Sequence, residues 1–282
     1  MEKGMIGFII AILISGGFLF NADRQAEEEM NTAEAEREKP SPIAIQEHPD
    51  ERSNDKILET ISEKEEELEA VSEYIIVIDP GHQTKANYEQ EPVGPGHEET
   101  KIKVSQGTRG VRTGTMEYEL NLQVSFLLKE ILEDRGIEVV MTRVVNDVDI
   151  SNKERAEMAN EVNADLFVRI HADGAASQAA RGAHVLIPDE SHSTPGVYQS
   201  SKKAANRLLH HLEAEGIQLH SNPLTRRGDI SGFNWSEVPV FLFEMGFMTN
   251  PEEDLLLADP AYQIKLMTIT ANAIEDNLKE NK

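Results

Sequence analysis

From Tyr74 onward the chain alternates between two hydrophobic periods. "YIIVIDPGH", Tyr74 to His82, is an apolar run closed by a Pro-Gly turn, which predicts a buried strand. "EYELNLQVSFLLKEILEDRG" then sets Leu120, Val124, Leu127, Leu128 and Ile131 on one helical face, stopped at Gly136. "IEVVMTR" predicts a second strand, and "SNKERAEMANEVN" a helix with Ser151 as its N-cap. "DLFVRIHAD" and "GAHVLIP" predict the third and fourth strands. A helix over Tyr198–Gly216, a fifth strand at "VPVFLFE" and a closing helix over Pro260–Lys279 complete the series. This alternation implies an α/β fold: a mostly parallel, mixed central sheet flanked by helices, in a single domain over residues 73–282.

The first 72 residues follow neither period. Met5 to Phe20 is a charge-free apolar run of 16 residues behind Lys3. Its length lies between a signal-peptide core and a full span of ~20 residues. Residues 1–20 are therefore read as a membrane anchor or a signal segment. Either one exports the rest of the chain, because Lys3 and the amino terminus favour the inside and the far flank is acidic. Residues 21–72 are polar and acid-rich, without an aromatic side chain. Such a stretch cannot bury enough apolar area to fold alone, and it is read as an acidic, largely disordered tether. Ile57 to Val71 has the composition of a short charged helix.

Charge and cysteine usage narrow the function classes. Lys and Arg number 27 against 51 Asp and Glu, a net charge of −24. That argues against a nucleic-acid partner, which needs a basic footprint. It also argues against electrostatic docking on an anionic membrane or wall polymer. The chain has no cysteine, so disulfides, thiolate metal sites and a cysteine nucleophile are excluded. Any metal must be held by His and carboxylate, the ligand set of catalytic zinc sites.

Sites in open α/β sheets form beyond the carboxyl ends of the strands. Asp79 and His82 end the first predicted strand, His171 and Asp173 the third, and Glu244 the fifth. Glu244 interrupts the apolar run "VPVFLFEMGFM", and a carboxylate in such a place pairs, neutralises or binds a metal. If the strands are parallel, two imidazoles and a carboxylate converge on one edge. Glu117 opens the first helix at that edge and is the candidate third ligand. Glu119 lies about 200° further round the helix, so only one of the two faces the site. The pattern alone leaves Glu117 open between a ligand and a first-turn carboxylate favoured by the helix dipole. His97, in a long loop near His82, is the rival imidazole. Asp79 is read either as the partner that orients His82 or as a turn residue before Pro80. Arg143 and Arg169 are read as carboxylate binders or structural ion pairs.

Four segments, taken in order, resemble the zinc-dependent N-acetylmuramoyl-L-alanine amidases, bacterial peptidoglycan amidases of the spore and autolysin type. "VIDPGH" resembles the family's opening strand and first ligand, which falls on His82. "EYELNLQVS" resembles the helix start that supplies the glutamate ligand, Glu117. "VRIHAD" resembles the segment of the third ligand, His171. "VFLFEMGFMTNPEE" resembles the segment of the catalytic glutamate, Glu244. The likeness runs from Tyr74 to the end, about three-quarters of the chain.

The resemblance implies zinc held by His82, Glu117 and His171, and Glu244 as the base that handles the water's proton. It implies peptidoglycan as substrate, cut at the amide between the lactyl group of N-acetylmuramic acid and L-alanine. It implies action outside the cytoplasm, with the chain anchored to the membrane by its N-terminus or secreted to the wall. The loop over residues 83–116 is longer than the family's usual connection. Its "EQEPVGPG" and "GTRGVRTG" look like a variant found in a Gram-positive branch, and Gln83 stands where Gly is usual. This loop is read as a lid over the site or the seat of a regulatory protein. Two alternatives stand beside this reading: a zinc peptidase cutting within the stem peptide, and a non-catalytic wall-binding or activator protein on a tether.

Overall fold

The computed structural model describes residues 72–191 and 196–280. The expected N-terminal segment 1–20, the charged helix within 57–71 and the tether, Ser72 excepted, lie outside the described residues. Among the described residues no helix is long and apolar enough to cross a membrane.

Strands β1 (Ile75–Pro80), β4 (Glu138–Met141), β5 (Leu166–Asp173), β6 (Ala183–Pro188), β7 (Leu219–Arg227) and β8 (Val240–Phe247) form one sheet in the order β4-β1-β5-β8-β6-β7. The first four in that order run parallel. β6 is antiparallel to β8 and parallel to β7. The expected mixed sheet is therefore present, with a sixth strand. Its period of two sorts the side chains. Ile76, Ile78, Leu166, Val168, Ile170, Phe241 and Phe243 face one core. There they meet helices α1 (Glu117–Glu133), α3 (Val197–Ala214) and α6 (Pro260–Lys279). Val77, Phe167, Val240 and Leu242 face the other, against α2 (Asn152–Glu161) and the short α4 (Ser231–Asn234). The same parity continued toward the carboxyl ends places Asp79, Arg169, His171 and Glu244 on the second face. That face is apolar at one end and charged at the other.

The local signals act as expected. Ser151 Oγ accepts from the backbone N–H of Glu154, whose carboxylate accepts from Ser151 N–H at 2.7 Å, a reciprocal cap. Gly136 takes φ 73° just after α1, a left-handed turn that suits glycine.

Four elements carry no such pattern. β2 (Asn87–Pro92) and β3 (Thr100–Val104) form a separate antiparallel hairpin inside the long loop. Their sequences, NYEQEP and TKIKV, are mostly polar because neither strand lies on the main sheet. β7 is an edge strand that contains Pro223, tolerated at its register shift against β6. A short helix, α5 (Pro251–Leu257), follows β8 and is capped by Asn250.

Candidate active site

β1 hands its chain to Pro80, Gly81 and His82. His82 adopts φ 63°, a conformation that costs a non-glycine residue energy. Two contacts hold it. Arg155 Nη2 donates to its backbone carbonyl at 3.2 Å, and the Ser105 carbonyl lies 2.9 Å from its Nδ1. A proton on Nδ1, donated to that carbonyl, leaves the lone pair on Nε2 facing the cleft.

Glu117 enters from the first turn of α1. Its Oε2 accepts from Thr108 N–H at 2.8 Å, and its Oε1 from Asn121 Nδ2 and Ala172 N–H, both at 3.3 Å. Glu119 instead accepts from Met116 N–H at the helix start, so Glu117 is the one of the two that faces the cleft. His171, near the end of β5, lies with its ring on Gly81. A β-carbon there would sit 2.2 to 2.6 Å from three of its ring atoms, so position 81 has room for no side chain.

These three side chains meet. Glu117 Oε1 is 3.0 Å from His82 Nε2 and 3.1 Å from His171 Nδ1, and the two imidazole nitrogens are 3.1 Å apart. Three ligands around a tetrahedral zinc at bond lengths of ~2.0–2.1 Å would stand roughly 3.3 Å apart. With its proton on Nδ1, His82 turns the Nε2 lone pair toward the carboxylate at 3.0 Å, an arrangement that suits a cation held between them. Burial pushes His171 down to about 4, helped by repulsion from His82 and Arg169, so the ring is neutral near neutral pH. Burial alone would raise Glu117, but the two imidazoles overcome it and bring its carboxyl well below the usual range. A neutral imidazole and an ionised carboxylate suit a metal, and the donor set fits zinc.

Glu244 stands across from His171 in the β5–β8 register and across from His184 in the β6–β8 register. It is 8% exposed, and its Oε2 has no hydrogen-bond partner among the described residues. Burial, then the charges of Glu117 and Asp173, raise its pKa well above the ordinary value. It lines a cleft of about 480 Å³ together with His82, Glu117, His171, Asp173 and Thr249. The four residues singled out in the sequence are thus brought to one cleft. His97 is not in the triangle; its ring lies close to Gly94.

Other expectations are corrected or refined. Asp79 does not orient His82. It is fully buried and accepts from Thr142, Arg155 and Arg169 at 2.6, 2.7 and 2.9 Å. Arg169 thus pairs with Asp79 through its Nε. Arg143 donates to the carbonyls of Pro80, Gly81 and Tyr118 at 2.8, 3.0 and 2.8 Å, which ties the end of β1 to the start of α1.

The long loop is not laid out only as a cover. Its far end, Ser105 to Thr108, touches two of the three converging side chains from behind, while the hairpin docks against α2 and Trp235. Ser105, Gly107, Thr108 and the pairing of Asp173 with His184, 3.3 Å apart, escaped the sequence reading, although Asp173 itself was placed at this edge. Only the glycines of "GTRG" hinted at a tight approach there.

Known proteins give the same reading. The model of the N-acetylmuramoyl-L-alanine amidase family matches residues 76–276. The amidase AmiA of Salmonella typhimurium is 28% identical over 200 residues, covering 58% of this chain and 68% of AmiA. The amidase Rv3717 of Mycobacterium tuberculosis is 29% identical over 196 residues, covering 65% of this chain and 77% of its own. The solved structure of an N-acetylmuramyl-L-alanine amidase of Mycobacterium smegmatis superposes with a TM-score of 0.69 at 28% identity, over 74% of this chain and 99% of that one. With a central sheet and site of this kind, and a family match over most of its length, the chain belongs to the N-acetylmuramoyl-L-alanine amidases and is a peptidoglycan amidase.

Proposed function

We propose that the protein hydrolyses the amide between the lactyl group of N-acetylmuramic acid and L-alanine, with zinc held by His82, Glu117 and His171 and with Glu244 as general base and acid. The observation that carries this reading is the buried, unpartnered Oε2 of Glu244 in the same cleft as the three converging donors. When bound, zinc supplies Lewis acidity, which lowers the pKa of water and stabilises charge developing on a carbonyl oxygen.

The side chains do the rest. Ser105 fixes the tautomer of His82, and Thr108 and Asn121 fix the plane of the Glu117 carboxylate. Glu244 takes a proton from the attacking water and returns one to the leaving amine nitrogen. Its raised pKa lets it hold that proton between the two transfers.

The substrate places the catalytic domain, residues 73–282, outside the cytoplasm, and we assign residues 1–20 to export or anchoring and 21–72 to the tether. Peptidoglycan digested by the zinc-loaded protein should release peptides that begin with L-alanine and leave free muramoyl lactyl ends, read by mass spectrometry. Cuts confined to bonds within the stem peptide would overturn the assignment.

A further inference from the structure

Behind His171 and Ser105 lies a second cavity, of about 290 Å³, which shares those two residues with the cleft. Lys101 and Ile102 of β3 form one wall, Arg169 and Leu242 of the sheet the floor, and Asp229 to Ser231 the far side.

The protein carries a net charge of −24, yet cations outnumber carboxylates here. Asp229 is shared by two of them: Lys101 Nζ lies 3.0 Å from its Oδ2, and Arg227 grips it at 2.7 and 2.8 Å. Asp79, beneath the floor, is likewise shared by Arg155 and Arg169. Glu91 accepts from Lys153 N–H at 3.2 Å at the start of α2, and the carboxylates of Asp173 and Glu244 also act on Arg227.

Arg169 is 2% exposed and directs Nε to Asp79 and Nη2 to Asn152 Oδ1, at 2.9 and 2.7 Å. Its Nη1 has no hydrogen-bond partner among the described residues and lies over Gly232, where a β-carbon would come within 2.2 Å. A buried guanidinium with a spare donor beside a lysine is a site for an anion, and for a planar carboxylate above others.

The chemistry of the substrate says which anion. The carboxyl of muramic acid is consumed in the scissile amide, so the free carboxylates belong to the peptide. We propose that this cavity is a subsite for a carboxylate of the stem peptide next to the cut, and that Lys101 and Arg169 make the enzyme prefer free-acid over amidated peptides. The inference rests on the amidase reading above and adds a specificity to it. Asp229 tempers the preference, since it neutralises part of the positive charge.

The test compares two substrates with the full-length, zinc-loaded chain: N-acetylmuramoyl-L-alanyl-D-glutamate and its diamide. The free acid should be cleaved with kcat/KM about tenfold higher, the worth of one hydrogen bond to a charged group. Lys101→Gln should reduce that ratio and Asp229→Asn should increase it. Calorimetry with L-alanyl-D-glutamate and its diamide reads the same preference without turnover. Equal kcat/KM for the two substrates in the native enzyme, or a ratio unmoved by both substitutions, overturns the subsite and leaves the amidase reading intact. Tighter binding of the acid dipeptide without cleavage of either substrate supports the subsite and strikes the amidase reading instead.

Discussion

Ser105, 23 residues beyond His82 in the chain, presents both its backbone carbonyl and its hydroxyl to the His82 Nδ1, at 2.9 and 3.1 Å. The inserted loop therefore braces the proposed ligand triangle directly. Partners that stand behind a metal ligand fix its tautomer and ring plane, and removing one costs about 10–100-fold in affinity.

Gly107 gives the sharpest test of this role. It takes φ 85°, and a β-carbon there would meet Glu117 Oε2 at 2.6 Å and the His82 ring at 2.8 Å. Gly107→Ala should weaken zinc binding on the order of 10–100-fold, measured by competition with a chelator. Ser105→Ala should weaken it less, because the carbonyl that holds Nδ1 remains. Native affinity in Gly107→Ala would remove the loop from this role.

The ligand role of His171 has two independent handles. His171→Ala removes a donor and should lower the zinc content found by elemental analysis. Gly81→Ala leaves the donor in place but fills the space its ring occupies, with ring atoms 2.2 Å from the new carbon. Both variants should keep the circular dichroism of the native protein and lose metal. Full stoichiometry in His171→Ala would take that residue out of the triangle.

Glu244→Gln separates chemistry from binding. The amide keeps the volume of the side chain and cannot take a proton from water. Zinc content should stay native while kcat on purified peptidoglycan falls about 10²–10⁴-fold. The buried carboxyl also lacks a hydrogen bond at Oε2, so the exchange should not lower thermal stability. A native rate would sink the base role.

How legible each part was in the sequence follows from how local its cause is. β1, β5 and β8 were readable because strands buried on both faces are unbroken apolar runs. Glu244 stood out because it breaks such a run. β7 was not readable: it lies at an edge, holds Pro223 and alternates weakly. Ser105 was not readable either, since nothing in a polar loop announces which histidine its carbonyl will meet. Asp79 misled for a related reason. Its partners come from the neighbouring strand, in register with Arg169, and from α2, and that pairing exists only once the sheet order is set. The residues proposed for the chemistry were legible by type and position; the residues that hold them became visible only with the fold.

Asp79 allows a prediction about stability alone. Burial by itself would raise its pKa, but Arg155 and Arg169, with the Thr142 hydroxyl, bring it well below the ordinary value of 3.8. A carboxyl depressed in the folded state stabilises the protein fully at pH values above its unfolded pKa. That contribution is lost as the pH falls through the unfolded value toward the folded one. Asp79→Asn leaves two buried guanidinium groups without their counter-charge and should cost about 3–5 kcal/mol at pH 7. Urea midpoints for the two proteins should therefore differ widely at pH 7 and approach each other below about pH 4, where the native carboxylate begins to be lost. The zinc content of folded Asp79→Asn should remain native, because Asp79 has no hydrogen bond to any of the three ligands. A gap in stability that stays constant down to pH 3 would mean that shape and hydrogen bonding, not charge, make Asp79 indispensable to the sheet.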